Sequence, residues 1–375
     1  MTNEHTEHES KHHEKIIDPW GSELPEDYTK IMKDFGLEHF DESKFPNPNR
    51  LMRRGIVFAG RDLNIISKCI QEKKPFYVLS GIMPTNDKIH LGNKMVVEQI
   101  RYFQEHGAHA YILVADLESA AARGVSIEEA KKRALEFHIP AYVALGLDPK
   151  KTMFYFQSEN RDVITLAFEF AKKITLNEFK GIYGSADPGR IMSAVVQCGD
   201  ILFPQLSEKM PGIIPVGIDQ DPHIRLTRDV VDRTKSTHKF FAPSSIYHKY
   251  TKALNGKLKM SKSEPLYNIE LPEDKESYTK KIKRALTGGR DTLEEHRKLG
   301  ADVEKCMVFE LLKTHLVEDD NELQRIYDDY KSGKTTSGEI KEIAIKKMDE
   351  FMEEFNKKAE LAKKNIDKLH FIKFH

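Results

Sequence analysis

Between about residues 46 and 285, short apolar runs alternate with amphipathic stretches. The apolar runs predict buried strands at 76–80, 109–115, 152–156 and 212–216. The stretches between them, for example 92–106 and 126–145, have the spacing of amphipathic helices. Strands that alternate with helices over this length predict an α/β fold, with a parallel sheet between two layers of helices. Ligands of such a sheet bind beyond the carboxyl ends of its strands.

The pattern changes near residue 286, because no later run predicts a strand. Apolar residues instead recur at three- and four-residue steps, at Ile340, Ala344, Met348, Phe351 and Phe355. This spacing predicts an amphipathic helix over 338–365, with lysines on much of its other face. We therefore predict a sheet domain over 74–285, followed by a separate α-helical domain over 286–375. An N-terminal segment, 18–73, is expected to pack on the sheet domain.

The first residues of the chain differ from the rest. Residues 1–17 are rich in His, Glu and Lys, which predicts a disordered polar tail. A metal-binding histidine tract is the alternative interpretation. Asp18-Pro19-Trp20 follows the tail and contains the only tryptophan, so we expect order to begin there.

Composition sets limits on the class of protein. The chain has 375 residues, of which 39% are hydrophobic and 31% charged, as in an ordinary globular protein. No apolar run has the length of a membrane span, and the polar N-terminus does not resemble a secretory signal. The three cysteines are far apart and suit a reducing compartment, so a cytoplasmic protein is expected. The 59 basic and 59 acidic residues balance, so any RNA would have to bind a local basic face.

One candidate phosphate-binding segment is Pro84-Thr85-Asn86-Asp87-Lys88-Ile89-His90-Leu91-Gly92-Asn93, which follows the first predicted strand. Its last four residues open a helix, whose free backbone N–H groups and dipole favour an anion. Gly92 would allow a nucleotide to approach the backbone closely. His90 can donate to a phosphate oxygen. The plainer interpretation of this short pattern is an ordinary surface helix start.

A second candidate is Lys259-Met260-Ser261-Lys262-Ser263, between Asn255-Gly256 and Glu264-Pro265. Two lysines spaced three residues apart can both reach a triphosphate. Cations in such positions stabilise the charge that develops when a phosphate bond breaks. The alternative is a solvated basic loop, and the upstream segment makes that alternative weaker.

The two segments resemble the signature sequences of class I aminoacyl-tRNA synthetases, whose catalytic domain is a Rossmann-type sheet. Residues 217–229 resemble the segment between the signatures in the tryptophanyl-tRNA synthetase family. Residues 287–297, Asp18-Pro19-Trp20 and Arg53-Arg54-Gly55-Ile56 are similar to parts of its archaeal and eukaryotic members. The resemblance extends over roughly 18–375.

The resemblance implies an enzyme that activates tryptophan with Mg-ATP and transfers it to tRNA(Trp). It implies that the helical domain reads the anticodon, that the protein forms a homodimer, and that the protein itself provides no metal site. His90, Lys259 and Lys262 would act on the phosphates. The implied ATP-binding residues are Gly92, Asn93, Asp219, Met260, Ser261 and Ser263.

The implied tryptophan-binding residues are Leu79, Glu118, Gln197, Asp200 and Gln220. Asp200 resembles an aspartate that accepts the indole N–H in bacterial members, and an aspartate of the tyrosyl enzymes that accepts the phenol. Leu79 stands where a tyrosyl enzyme has a second partner for the phenol, so the pocket suits indole, which has one donor and no acceptor. Asp200 as a structural cap and Glu118 as a surface carboxylate are the plainer interpretations.

Three other functions fit parts of the sequence. A tyrosyl-tRNA synthetase is the nearest, and Leu79 argues against it. A small-molecule nucleotidylyltransferase or carboxylate-activating ligase would have no need of the helical domain. An inactive RNA-binding relative would have no need of the intact lysine segment.

Overall fold

The computed structural model of the protein describes residues 27–185, 187–260 and 264–374. The predicted tail 1–17 and Asp18-Pro19-Trp20 lie outside the described residues. Nine strands are described: β1 (Glu38–His39), β2 (Val57–Arg61), β3 (Tyr77–Ile82), β4 (Ile89–His90), β5 (His109–Val114), β6 (Thr152–Phe156), β7 (Gly212–Gly217), β8 (Ser244–His248) and β9 (Glu270–Leu271).

Seventeen α-helices are described within the same ranges. They are α1 (Tyr28–Asp34), α2 (Arg50–Arg53), α3 (Leu63–Glu72), α4 (Leu91–Glu105), α5 (Asp116–Arg123), α6 (Ile127–Arg133), α7 (Ile139–Ala144), α8 (Arg161–Ala171), α9 (Leu176–Tyr183), α10 (Pro188–Leu202), α11 (Pro204–Ser207), α12 (Asp221–Arg233), α13 (Lys275–Arg284), α14 (Leu293–Leu299), α15 (Met307–Leu311), α16 (Asp320–Lys331) and α17 (Ser337–Lys364). A π-helical turn, Ala134–His138, joins α6 to α7.

The main sheet has seven strands in the order β1-β2-β8-β7-β3-β5-β6. Strands β8, β7, β3, β5 and β6 are parallel, whereas β2 runs antiparallel to β8, and β1 antiparallel to β2. The carboxyl ends of the five parallel strands therefore share one edge. The prediction of an α/β fold with a parallel sheet is confirmed, and the four predicted strands correspond to β3, β5, β6 and β7.

The apolar core lies on both faces of this sheet. Val78 and Ile112 belong to a cluster on one face, whereas Tyr77, Leu79 and Tyr111 belong to a cluster on the other. This division follows from the two-residue side-chain period of a strand. The helix α4 contributes to the first cluster, and α8, α10 and α12 form most of the second.

The C-terminal part of the chain is helical, and α17 matches the helix predicted over 338–365. Its buried stripe includes Ile340, Ala344, Met348 and Phe355, and Thr336 with Glu339 forms a capping box at its start. This helix packs against α7 and joins the same apolar cluster as β3. The proposed boundary at residue 286 stays a prediction. None of the described helices is long and apolar enough to cross a membrane.

Candidate active site

A cavity of about 430 Å³ opens at the carboxyl ends of β3, β5 and β7. Its wall includes most of the residues that the sequence predicts for the site: Leu79, His90, Gly92, Asn93, Glu118, Gln197, Asp219, Gln220, Lys259 and Met260. Ser261, Lys262 and Ser263 lie outside the described residues. Asp200 is described, but it is not among the residues of the cavity wall.

The first signature forms one side of the cavity. His90 is the N-cap of α4, and its Nδ1 accepts a hydrogen bond of 3.0 Å from the Gly92 N–H. Nδ1 is therefore unprotonated in the neutral ring, and the ring hydrogen is on Nε2. A Cβ on Gly92 would lie 2.7 Å from His90 Cε1, so only glycine fits beside this ring without a shift. The predicted helix start is confirmed, but the expectation of free N–H groups is wrong for Gly92, because its N–H already donates to His90 Nδ1.

Asn93 has a structural contact as well as a place on the cavity wall. Its Oδ1 accepts a hydrogen bond of 3.1 Å from the His90 backbone N–H, which completes the capping box. The pair holds the entrance of α4 in a fixed shape. The strand β4, which ends at His90, pairs with β9, so the first signature is joined to the chain that follows the second.

The described part of the second signature faces the same space. Lys259 Nζ lies 3.2 Å from Asp219 Oδ2 and 5.1 Å from the centre of the Tyr250 ring. Asp219 Oδ1 would stand 2.5 Å from a Cβ on Gly217, so the glycine gives the carboxylate its room. The Lys259 side chain is 38% exposed, which leaves it able to turn toward an anion in the cavity. We call His90, Gly92, Asp219 and Lys259 the signature wall.

Another part of the cavity wall is apolar. Leu79, Leu113, Ile201, Ile214 and Ile224 line the cavity and belong to the apolar cluster formed with α8, α10 and α12. We call these five residues, together with Gln157, which also lines the cavity, the apolar wall. The predicted Leu79 therefore lines the cavity among other apolar side chains, and its role in binding tryptophan stays a prediction.

Polar side chains border the apolar wall. Glu118 lies on α5, directly beyond β5, and Gln197 on α10; both are half-buried and line the cavity. Gln220 is also half-buried and precedes α12. One carboxylate and two amides can bind an ammonium and a carboxylate by charge-assisted hydrogen bonds.

Asp200 lies behind the apolar wall. It is fully buried on α10, and Tyr155 Oη donates to its Oδ1 at 2.9 Å. Gln157 Nε2 donates to its Oδ2 at 2.5 Å. Burial raises the pKa of Asp200 to about 7, although both hydrogen bonds favour the ionised form. Its contacts bind it to β6 and to Gln157, and Gln157 is the member of this group that reaches the cavity.

Gln157 and His248 were not found from the sequence. Gln157 follows β6, and His248 ends β8, so both occupy the edge where ligands of parallel sheets bind. Gln157 Oε1 and His248 Nε2 are buried and have no hydrogen-bond partner among the described residues. Because His248 Nδ1 lies 3.1 Å from the Lys249 carbonyl and must donate to it, Nε2 is an acceptor. Their position at the carboxyl ends of strands was the one feature of the sequence that could have indicated these two residues.

Another buried group on the cavity wall is His223. Its Nδ1 lies 2.9 Å from Tyr183 Oη, and burial lowers the pKa of His223 to about 3. The ring therefore stays neutral at any physiological pH. Among the described residues, no group of three or more His, Cys, Asp or Glu is arranged to hold a metal ion.

Comparison with known proteins identifies the family. Residues 71–353 match the family model described as tRNA synthetases class I (W and Y). The tryptophan–tRNA ligase of Methanocaldococcus jannaschii is 42% identical over 357 residues, which cover 92% of this chain and 96% of that protein. The chain therefore belongs to the class I tRNA synthetases.

Solved structures give the same result. The crystal structure of tryptophanyl-tRNA synthetase from Aeropyrum pernix K1 has a TM-score of 0.87 and 38% identity, and covers 96% of this chain and 100% of that one. A tryptophanyl-tRNA synthetase from Encephalitozoon cuniculi, bound to tryptophan, has a TM-score of 0.78 and 25% identity, and covers 92% of this chain and 99% of that one. Within its class, the chain is a member of the tryptophan–tRNA ligase family, and the family implies the use of ATP. The predicted family and Rossmann-type fold are confirmed.

Proposed function

We propose that this protein activates tryptophan with ATP and transfers it to tRNA(Trp). The observation that carries the proposal is one cavity with two unlike walls. Its signature wall offers the His90 imidazole and a lysine to phosphates. Its apolar wall offers apolar side chains to an aromatic ring, with Gln157 Oε1 as a buried acceptor that has no partner among the described residues.

Activation requires positioning more than a side-chain nucleophile. The tryptophan carboxylate attacks the α-phosphorus, the bond to the β-phosphate breaks, and pyrophosphate leaves. His90 Nε2–H, Lys259 and Lys262 stabilise the charge on the phosphate oxygens, and Lys262 is the strongest candidate for the transition state. Gly92, Asn93 and Asp219 shape the nucleotide site, together with Met260, Ser261 and Ser263. A terminal ribose hydroxyl of the tRNA then attacks the acyl carbon, and AMP leaves.

Two observations on the cavity wall fit a nucleotide. A Cβ on Gly92 would lie 2.7 Å from His90 Cε1, so the glycine lets the imidazole keep its place at the cavity. His248, which also lines the cavity, has a buried Nε2 acceptor without a partner among the described residues. Mg²⁺ is proposed to arrive with the nucleotide, where it would neutralise phosphate charge. His90 and the lysines orient the same phosphates.

Tryptophan is selected by its single polar hydrogen. Leu79 and Leu113 leave the apolar wall without a donor for a phenol oxygen. We assign Gln157 Oε1 as the atom that receives the indole N–H, with Asp200 fixing the amide so that its NH₂ points away from the ring. In this proposal Asp200 acts through Gln157 and does not itself accept the indole N–H, which differs from the role that the resemblance implied. Glu118, Gln197 and Gln220 bind the ammonium and carboxylate.

Pyrophosphate exchange across a panel of amino acids tests the proposal. We expect exchange with tryptophan, little with tyrosine or phenylalanine, and charging of tRNA(Trp) by the same preparation. Equal exchange with tyrosine would favour a tyrosyl enzyme. Exchange without charging would favour a small-molecule ligase, and absence of both would leave an RNA-binding protein without catalysis.

Two further partners are proposed, an RNA anticodon and a second copy of the chain. The helices after residue 286 are proposed to read the anticodon, because single-stranded bases are recognised by side chains that contact their edges and faces.

A homodimer is supported by exposed apolar side chains on three successive helices, at Phe168, Leu176 and Met192. Light scattering should give twice the chain mass, and a monomer at assay concentration would contradict the dimer.

A cytoplasmic location stays a prediction, consistent with three buried, unpaired cysteines.

A further inference from the structure

Residues 370–374, which we call the strap, run along the outer edge of β6. Phe154 N–H donates to the His370 carbonyl at 2.9 Å, and Ile372 N–H donates to the Phe154 carbonyl at 2.8 Å. The pairing is parallel, with Phe371 opposite Phe154. The strap thus covers backbone groups of β6, the last strand of the main sheet.

Side chains of the strap alternate between the two faces of the sheet. Phe371 stacks on Phe156, with ring centres 5.8 Å apart and planes 5° apart, and it also contacts Phe154. These rings belong to the apolar cluster on the face of α4 and α17. Ile372 and Phe374 pack into the other cluster, which contains the apolar wall.

Phe374 contacts two rings directly behind the apolar wall. Its ring centre lies 6.4 Å from that of Tyr155, edge to face, and 5.8 Å from that of Phe203. Tyr155 and Phe203 are themselves 5.2 Å apart, so the three rings form one cluster. Phe203 directly follows α10, the helix that carries Asp200.

This ring cluster holds the donor that fixes Asp200. Tyr155 Oη donates to Asp200, and Asp200 in turn holds the Gln157 amide at the cavity. Tyr155 is fully buried, so its hydroxyl keeps its direction only while the rings around it fill their space. The contacts therefore run from Phe374 through Tyr155 and Asp200 to Gln157.

We propose that Phe374 is a positioning residue for tryptophan selection, acting through Tyr155 and Asp200. The inference rests on the proposed function, because it assigns Gln157 to the indole. Loss of the Phe374 ring lets the Tyr155 ring move, which weakens the orientation of Asp200 and then of Gln157. Small displacements of positioning groups have large effects on binding and rate. The ring contacts described for Phe374 are with Tyr155 and Phe203, which are not part of the signature wall, so ATP binding is expected to be spared.

The matched pair Phe374→Ala and Phe371→Ala tests this role. Both remove one aromatic ring from the strap, but on opposite faces of the sheet. In pyrophosphate exchange, Phe374→Ala is expected to raise the tryptophan KM roughly two- to tenfold, as expected for the loss of aromatic contacts, with the ATP KM unchanged. Phe371→Ala is expected to leave the KM values for tryptophan and ATP near those of the wild type. Both variants are expected to have a lower unfolding temperature than the wild type. Phe374→Tyr should restore the wild-type KM.

Three results would overturn the inference. One is a tryptophan KM of Phe374→Ala equal to wild type. A second is an equal rise in Phe371→Ala, and a third is a parallel rise in the ATP KM, since these would indicate general destabilisation. If Phe374→Ala does not fold, Phe374→Leu, which keeps most of the volume, gives the same comparison. Absence of tryptophan-dependent exchange in the wild type would instead contradict the proposed function.

Discussion

The signature wall and the apolar wall bind their ligands by different means. Lys259 on the signature wall is 38% exposed, whereas Asp200 and Tyr155 behind the apolar wall are fully buried. A phosphate carries enough charge to attract donors through water. The side chains that bind it therefore need to be able to reach it more than they need to be rigid. An indole ring offers one weak donor, its N–H group. This donor contributes to selection only if an acceptor that is shielded from water already points toward it.

The largest expected effect comes from the signature side. Lys262→Ala should lower tryptophan-dependent pyrophosphate exchange by about 10²–10³-fold, since it removes a cation from the developing charge. Tryptophan binding, measured by calorimetry, should be unchanged. Lys257→Ala is the control, because Lys257 pairs with Glu264 and is not on the cavity wall. Unchanged exchange in Lys262→Ala would remove this lysine from catalysis.

The apolar wall is expected to give the next effect. Gln157→Leu should raise the tryptophan KM about 10- to 100-fold, because the indole N–H would be buried without an acceptor. The ATP KM should stay constant in the same exchange assay.

Gln104→Leu is the matched control for Gln157. Gln104 is also buried, and it donates to Thr152 Oγ1 at 3.0 Å, at the opposite end of β6. Its loss should reduce stability and leave the tryptophan KM unchanged. A rise in KM common to both variants would mean that β6, and not the amide, controls binding.

Protonation of Asp200 should make tryptophan binding at the apolar wall depend on pH. With a pKa of about 7, the carboxyl becomes ionised between pH 6 and 8. The ionised carboxylate accepts a hydrogen bond from the Gln157 NH₂ and leaves Gln157 Oε1 to the indole N–H. The protonated carboxyl can itself donate to Gln157 Oε1 and so compete with the indole. The tryptophan KM should therefore fall up to about tenfold from pH 6 to 8. Asp200→Asn should remove this dependence, and an identical slope in the variant would assign it to another group.

A smaller effect is expected from Gly92→Ala. The new Cβ would lie 2.7 Å from His90 Cε1, so the imidazole must turn away from the phosphate position. The ATP KM should rise roughly three- to fivefold, with the tryptophan KM unchanged. Gly181→Ala, where a Cβ has nothing within 4 Å, is the control. A change in the tryptophan KM alone would contradict the division of the cavity into two walls.

The same contrast decides how much of the molecule could be predicted. Strands β3, β5, β6 and β7 were predictable because each is a continuous apolar run that is buried on both faces. Strand β8 was missed because Ser244, Ser245 and His248 are polar although they are buried. Their burial depends on partners in β2 and β7, which no local pattern contains.

The site divides along the same line. Three residues of the signature wall, His90, Gly92 and Lys259, come from two contiguous segments, so residue type and spacing within each segment suggested a phosphate site. Asp219 was indicated only by the resemblance. Behind the apolar wall, Tyr155, Asp200 and Phe374 come from distant parts of the chain, and only the fold brings them together. The sequence indicated Asp200 through a resemblance, but it did not reveal that Gln157 stands between Asp200 and the cavity.

The short ladder between β4 and β9 has a mechanical consequence. The chain that bears the lysines leaves the main sheet at His248 and reaches its second anchor at Glu270, opposite His90. Between these two points, Leu254 N–H donates to the Tyr267 carbonyl at 3.0 Å and Met260 N–H donates to the Thr251 carbonyl at 2.8 Å. The described chain on both sides of the second signature is therefore held by backbone hydrogen bonds, and it also pairs with the residue that caps α4. A change in the β4–β9 ladder should therefore displace His90 and Lys259 together.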